Sequence, residues 1–327
     1  MKKTVLGIFL MLLVSACSPS TDVTLEKTKD NFGVEVTVNK KGDMYTISPR
    51  KIHQVLPLRG HMPVLNNPEF VDVSTADGFL KADDLVMGLK VGNAVKAYPV
   101  KIIRWHPVVN DSLEDEPILI AYDPISDMGV AYKRIVKMPG KDEEITLNTS
   151  DKMYNSNPLV KDAETKTTWS PHLGEAIFGR LAGQKLEELP LVVTSWADWK
   201  RAYPTTKVLS IDTGHRREYD KNIYEEYYRG QHLLFEVEHE DRRLPNKEYV
   251  YGVHAGGEAK AYPVKLLSKG MSFKDRIGEI DVTVSMNEFG IFSVVPEKDA
   301  KVSTRRLLWF AWVAFNPDTA LYEAAKN

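Results

Sequence analysis

The chain has 327 residues, 43 Lys and Arg against 45 Asp and Glu, and a single cysteine. No basic block interleaves with aromatic residues, so nucleic-acid binding has no support. With one cysteine there can be no disulfide within the chain; stability must come from core packing, for which this length suffices as one large domain or two modest ones.

The N-terminus reads as an export signal. Lys2 and Lys3 form a positive region, Val5 to Val14 is apolar, and Ser15-Ala16 stand before Cys17. About ten apolar residues are too few to span a bilayer but suit a signal peptide. Val14-Ser15-Ala16-Cys17 resembles the lipobox of bacterial lipoproteins. That resemblance implies cleavage after residue 16 and acylation of Cys17, with the membrane as partner through that lipid. Without Lys2 and Lys3, 41 of the 43 basic side chains remain against 45 acidic ones, a mildly acidic mature protein. Ser18 lacks the aspartate linked in enteric bacteria to inner-membrane retention, which favours the periplasmic face of the outer membrane. Residues 17–45 are polar, lack apolar periodicity and read as a flexible tether. Residues 46–327 read as one duplicated domain.

An internal repeat organises that domain. Val86 to Lys101 matches Val250 to Lys265 at an offset of 164, and Lys-Ala-Tyr-Pro-Val-Lys is identical in both copies. Asp111 aligns with Asp275. Trp196-x2-Trp199-x4-Pro204-x-Thr206 reappears as Trp309-x2-Trp312-x4-Pro317-x-Thr319. The fold expected is a β-dominated α+β body of two related half-repeats, about 85–209 and 250–322, with an insertion at about 134–188 in the first. Gly92-Asn93 and Gly256-Gly257 suit two-residue hairpin turns. Pro99 and Pro263 can open a helical turn, and Val/Ile-rich runs after them read as buried strands. Ser195 reads as an N-cap with Asp198 as its reciprocal acid and Pro204 ending the helix, while Trp196, Trp199 and Tyr203 at helical spacing read as core.

Positions alike in both copies are scaffold; chemically distinctive positions in one copy are functional candidates. Arg104-Trp105-His106-Pro107 stands where the second copy has Ser268-Lys269-Gly270-Met271. His106 can serve as ligand, general acid/base or capping donor. Asn110 follows it, and Asp111, with its counterpart Asp275, reads as a turn residue. Asp123-Pro124-Ile125-Ser126-Asp127 is a second asymmetric feature, suited to a hard cation or to a solvated turn. The insertion adds Tyr154-Asn155-Ser156-Asn157-Pro158 and Thr168-Trp169-Ser170-Pro171-His172, followed by a helix-like Gly174-Glu175-Ala176-Ile177; Trp105, Asn110, Asn155, Trp169 and His172 are the ligand-binding candidates. His232 to Glu240 reads as an alternating strand. No nucleophile motif, Gly-rich phosphate loop or His-x3-His pair occurs, and nothing signals a nucleotide or flavin.

Asn67-Pro68-x-Phe70, Asp83-Asp84-Leu85-Val86-x-Gly88, Lys96-Ala97-Tyr98-Pro99, Trp105-His106-x-Val108-Val109-Asn110-Asp111, Trp169-Ser170, Gly174-Glu175-Ala176-Ile177, Trp196-Ala197-Asp198-Trp199 and Trp309-Phe310-Ala311-Trp312 together resemble the uncharacterised prokaryotic domain of unknown function family 3179, over about residues 60–323. Many relatives look like Tyr-Cys-Pro-Leu-Cys-Gly-Thr-Gly where this chain has Tyr122-Asp123-Pro124-Ile125-Ser126-Asp127-Met128-Gly129. The resemblance implies a site that is lost here or has passed to oxygen and imidazole donors. Three functions stand open: an envelope lipoprotein binding a small ligand, a glycan or an envelope protein; a hydrolase using His106 with Asp123 or Asp127; and an accessory protein holding a divalent metal at His106, Asp123 and Asp127.

Overall fold

A computed structural model describes residues 26–29, 35–39, 42–55 and 62–324; Cys17 and the expected signal peptide lie outside them. The body is β-dominated, 46% strand and 12% helix, with its sheets in a propeller-like ring.

Both halves are built the same way. Strands Leu85–Val91 and Ala94–Pro99 pair antiparallel across Gly92-Asn93, and strands Tyr249–Ala255 and Glu258–Pro263 pair across Gly256-Gly257 in the same register, Gly88 opposite Ala97 and Gly252 opposite Ala261. Gly92, Gly256 and Gly257 hold positive φ of 56°, 59° and 88°, the region the tight turn needs. A third strand, Leu191–Ser195 or Val302–Leu308, flanks each hairpin. It leads into a helix, Trp196–Ala202 or Trp309–Phe315, and then a short parallel strand, Lys207–Leu209 or Ala320–Leu321. Each half also has a three-stranded antiparallel unit: Val108–Leu113, Glu116–Asp123 and Met128–Lys133 in the first, Met271–Ile277, Ile280–Met286 and Phe292–Pro296 in the second.

The shared residues explain this equivalence. Trp199 Nε1 donates to Thr206 Oγ1 at 3.0 Å and Trp312 Nε1 to Thr319 Oγ1 at 2.8 Å. A side chain at Gly88 or Gly252 would overlap the Trp199 or Trp312 ring. The Tyr98 hydroxyl donates to Asp111 at 2.7 Å and that of Tyr262 to Asp275 at 2.8 Å, with Lys96 and Lys260 on the same carboxylates. Asp111 is thus a buried acceptor inside a strand, not the expected turn residue. A tyrosine and a lysine from the neighbouring hairpin make an acid affordable there. Ser195 caps its helix as expected, accepting from Asp198 N at 3.2 Å while its hydroxyl bonds the Asp198 carboxylate at 2.7 Å.

Three further local expectations fail. Glu175–Phe178 is a strand on Thr168–Ser170, not helix-like: Gly174 and Gly179, at φ 64° and 110°, bracket a segment too short to nucleate a helix. His232 to Glu240 forms no strand; Leu233, Phe235 and Val237 alternate inward, but the backbone joins no ladder. Within the expected tether, Glu26–Lys29, Glu35–Val38 and Met44–Tyr45 are strands, and Val36 is buried. They extend an eight-stranded sheet that continues through the insertion strands Glu175–Phe178, Thr168–Ser170, Asn157–Asp162 and Leu147–Tyr154 to Ile52–Gln54.

Candidate functional site

His106 is fully buried at the end of the turn after Val100–Ile103. Its Nδ1 lies 3.0 Å from the Pro63 carbonyl, which fixes a proton there, and its Nε2 therefore accepts from Tyr219 Oη at 2.8 Å. Thr213 Oγ1 is 2.6 Å from the same phenol. Burial first, then His215 and Arg217, pushes the imidazole down to about 4, against the Pro63 bond. The ring is neutral at ordinary pH and its hydrogen bonds are taken up by scaffold.

Asp127 is engaged elsewhere. It sits at φ 49° and accepts from Tyr122 Oη at 2.5 Å and Tyr249 Oη at 2.7 Å, with the Arg306 guanidinium at 3.5 Å. Because Tyr249 and Arg306 belong to the second half, Asp127 joins the two halves. Asp123 closes its own loop, accepting from Ile125 N at 2.9 Å and Ser126 Oγ at 2.6 Å. Among the described residues no group of three His, Cys, Asp or Glu side chains is placed to hold a metal. The expected set of His106, Asp123 and Asp127 is not assembled.

The other candidates divide. Asn110 clips the insertion to the first half, donating to the Leu147 carbonyl at 2.8 Å and accepting from Leu147 N at 3.0 Å. Trp169 is core, its Nε1 donating to Asp162 at 2.9 Å, and Trp105 packs against the core of the first half. Asn155, at φ 50°, bonds the Ala314 carbonyl at 2.9 Å and accepts from Glu238 N at 2.9 Å, pinning residues 231–240 over the insertion.

His172 differs. It is buried, stacked on Phe315 at 3.8 Å, and neither ring nitrogen has a hydrogen-bond partner. Burial first, then Arg305 and His254, holds it well below the ordinary histidine range. His172 and Asp123 line one small cavity of about 20 Å³ together with Asn157, whose Oδ1 is also unpartnered. Ser156, in the turn just before Asn157 and with its hydroxyl likewise buried and unpartnered, lies on the wall of a larger groove of about 770 Å³. That groove runs between His53, Gln54 and Val55 on one side and residues 231–237 on the other, with Met153, Glu240 and Asn246 also lining it.

Next to groove-lining Asn246 in the chain is Lys247. Its ammonium is buried without a hydrogen bond, 3.1 Å over the Tyr227 ring and 4.8 Å from that of Phe310. Burial pushes it down to about 7, with Asp123 pulling the other way. The Tyr227 hydroxyl is unpartnered too, and its ring meets groove-lining His232 at 5.9 Å. Lys247 carries no motif, but the offset of 164 puts it opposite exposed Asp83, an asymmetry the repeat makes visible.

Buried polar groups are nearly always satisfied. Here Ser156, Asn157, His172, Tyr227 and Lys247 gather unsatisfied atoms around the Asp123 loop, the insertion and the segment covering it. The arrangement offers an imidazole, an amine, a carboxamide and a carboxylate beside a ligand-sized groove. No helix of the described residues is long and apolar enough to cross a membrane. Comparison with curated proteins gives no match, nor does comparison with solved structures. The model of one family, described as a protein of unknown function (DUF3179), matches residues 59–319, and the chain belongs to that family.

Proposed function

We propose that this chain is a lipid-anchored envelope protein whose body binds a small organic ligand in the groove beneath residues 231–240. The observation that carries the reading is the groove itself. Its volume of about 770 Å³ falls within the usual range for small-molecule sites, and its lining mixes Leu233, Phe235 and Val237 with His53, Gln54, Ser156 and His232. Nearly all of that lining comes from parts the repeat does not share: the insertion, the Ile52–Gln54 edge and residues 210–248 between the halves. The anchor rests on the Val14-Ser15-Ala16-Cys17 pattern. A hydrolase built on His106 has nothing to stand on, since that imidazole is committed to Pro63 and Tyr219.

Mass spectrometry of the protein extracted from membranes in mild detergent tests both parts. The denatured spectrum should give a chain beginning at Cys17 plus acyl mass; an unmodified chain retaining residues 1–16 would contradict the anchor. The native spectrum should give an added mass of a few hundred daltons that a Leu233→Asp variant loses. A native spectrum without added mass, or one unchanged by that variant, would contradict the groove.

A further inference from the structure

We infer that the small cavity lined by Asp123, Asn157 and His172 binds one first-row divalent metal ion of the Zn²⁺ class, held by the Asp123 carboxylate, the His172 imidazole and the Asn157 side-chain oxygen. The site is separate from whatever the groove takes, although the Ser156-Asn157 turn borders both.

Size comes first. About 20 Å³ admits one water-sized body, too little for an organic molecule or a cation with a full hydration shell. The donors come second. Both ring nitrogens of His172 and Oδ1 of Asn157 are buried and unpartnered, and these two residues line the cavity together with Asp123. Unsatisfied atoms of this kind in a folded interior point to an ion or a water. Orientation comes last. Asp123 receives Ile125 N at 2.9 Å and Ser126 Oγ at 2.6 Å, outer hydrogen bonds of the sort that aim a metal-ligating carboxylate.

The donor set also selects the ion. One imidazole with two oxygens suits zinc and its neighbours. Magnesium keeps several waters and calcium takes six to eight oxygens, and neither shell fits this volume. The rival occupant is a single internal water, which would satisfy the same atoms.

The test is metal content. Protein purified without chelator, then incubated with Zn²⁺ and desalted, should retain about one equivalent of zinc, while Mg²⁺ in the same treatment should not be retained. His172→Gln should weaken zinc binding by at least about tenfold, and His239→Ala, which changes an exposed histidine, should leave it unchanged. Wild type that retains no zinc leaves the cavity to water and overturns the site, as does undiminished binding by folded His172→Gln. Should that variant fail to fold, X-ray absorption of the zinc-loaded wild type decides. Imidazole scattering in the first shell is the expected result, and its absence overturns the assignment.

Discussion

Lys247 and His106 are both buried bases, and burial drives both toward the neutral form, yet their surroundings differ. His106 is compensated: a carbonyl and a phenol take its two nitrogens, and the neutral ring costs the fold little near neutrality. Lys247 lies over the Tyr227 and Phe310 rings at 3.1 and 4.8 Å, with the Asp123 charge acting on it as well, and a cation–π contact replaces part of the lost hydration but no hydrogen bond. With its native value near 7 and its unfolded value near 10.5, the unfolded chain binds the extra proton between those limits. Stability from this residue therefore rises with pH from 7 toward 10.5 and is lowest below 7. Lys247→Met, of similar length and no charge, should stabilise the protein by about 1–3 kcal/mol at pH 7 and flatten the rise toward pH 10. Urea unfolding at both pH values measures this. A destabilised Lys247→Met variant would mean the ammonium is satisfied by a contact that this account lacks.

At the scale of elements, the hairpin–strand–helix unit is held by one steric device used twice. Gly88 and Gly252 lie directly beneath the Trp199 and Trp312 rings, where a Cβ has no room. Gly88→Ala and Gly252→Ala should each destabilise by about 2–3 kcal/mol through overpacking, with the double variant roughly additive because the sites lie in different halves. Thermal melts of the single and double variants check this, and a neutral substitution at either position would contradict it. This unit was legible in the sequence because both copies repeat the interacting residues themselves: Gly with Trp, Tyr and Lys with Asp, Trp with Thr. Less legible were elements whose pattern has two physical causes. The alternation of Leu233, Phe235 and Val237 reports burial of one face, which an extended segment achieves without a ladder partner. Glu175–Phe178 lacks the length for any period to speak, and its state is set by pairing with Trp169. Val36 and its neighbours are too sparse in apolar residues to declare strands that exist only by joining the insertion's sheet.

For the whole molecule, the duplicated units form the scaffold and the unshared segments carry most of the unpartnered buried polar groups. The insertion, residues 210–248 and the Asp123 loop bring together His172, Asn157, Ser156, Tyr227 and Lys247 from distant parts of the chain. The sequence pointed to Asp123, Asn155 and His172 individually but grouped Asp123 with His106 and Asp127, because nearness in sequence stood in for nearness in space. The fold sends these three apart: His106 to Tyr219, Asp127 to the joint between the halves, and Asp123 to the cavity. The central claim is that the unshared parts, not the duplicated scaffold, form the working face. Hydrogen exchange measured on the protein as extracted from cells, and again after unfolding, removal of small molecules and refolding, tests this directly. The account predicts that exchange at residues 53–55, 153–157 and 231–240 is slower in the extracted protein and little changed elsewhere. Slowing confined to the two hairpins or to residues 210–219 beside His106, or no difference between the two preparations, would contradict it.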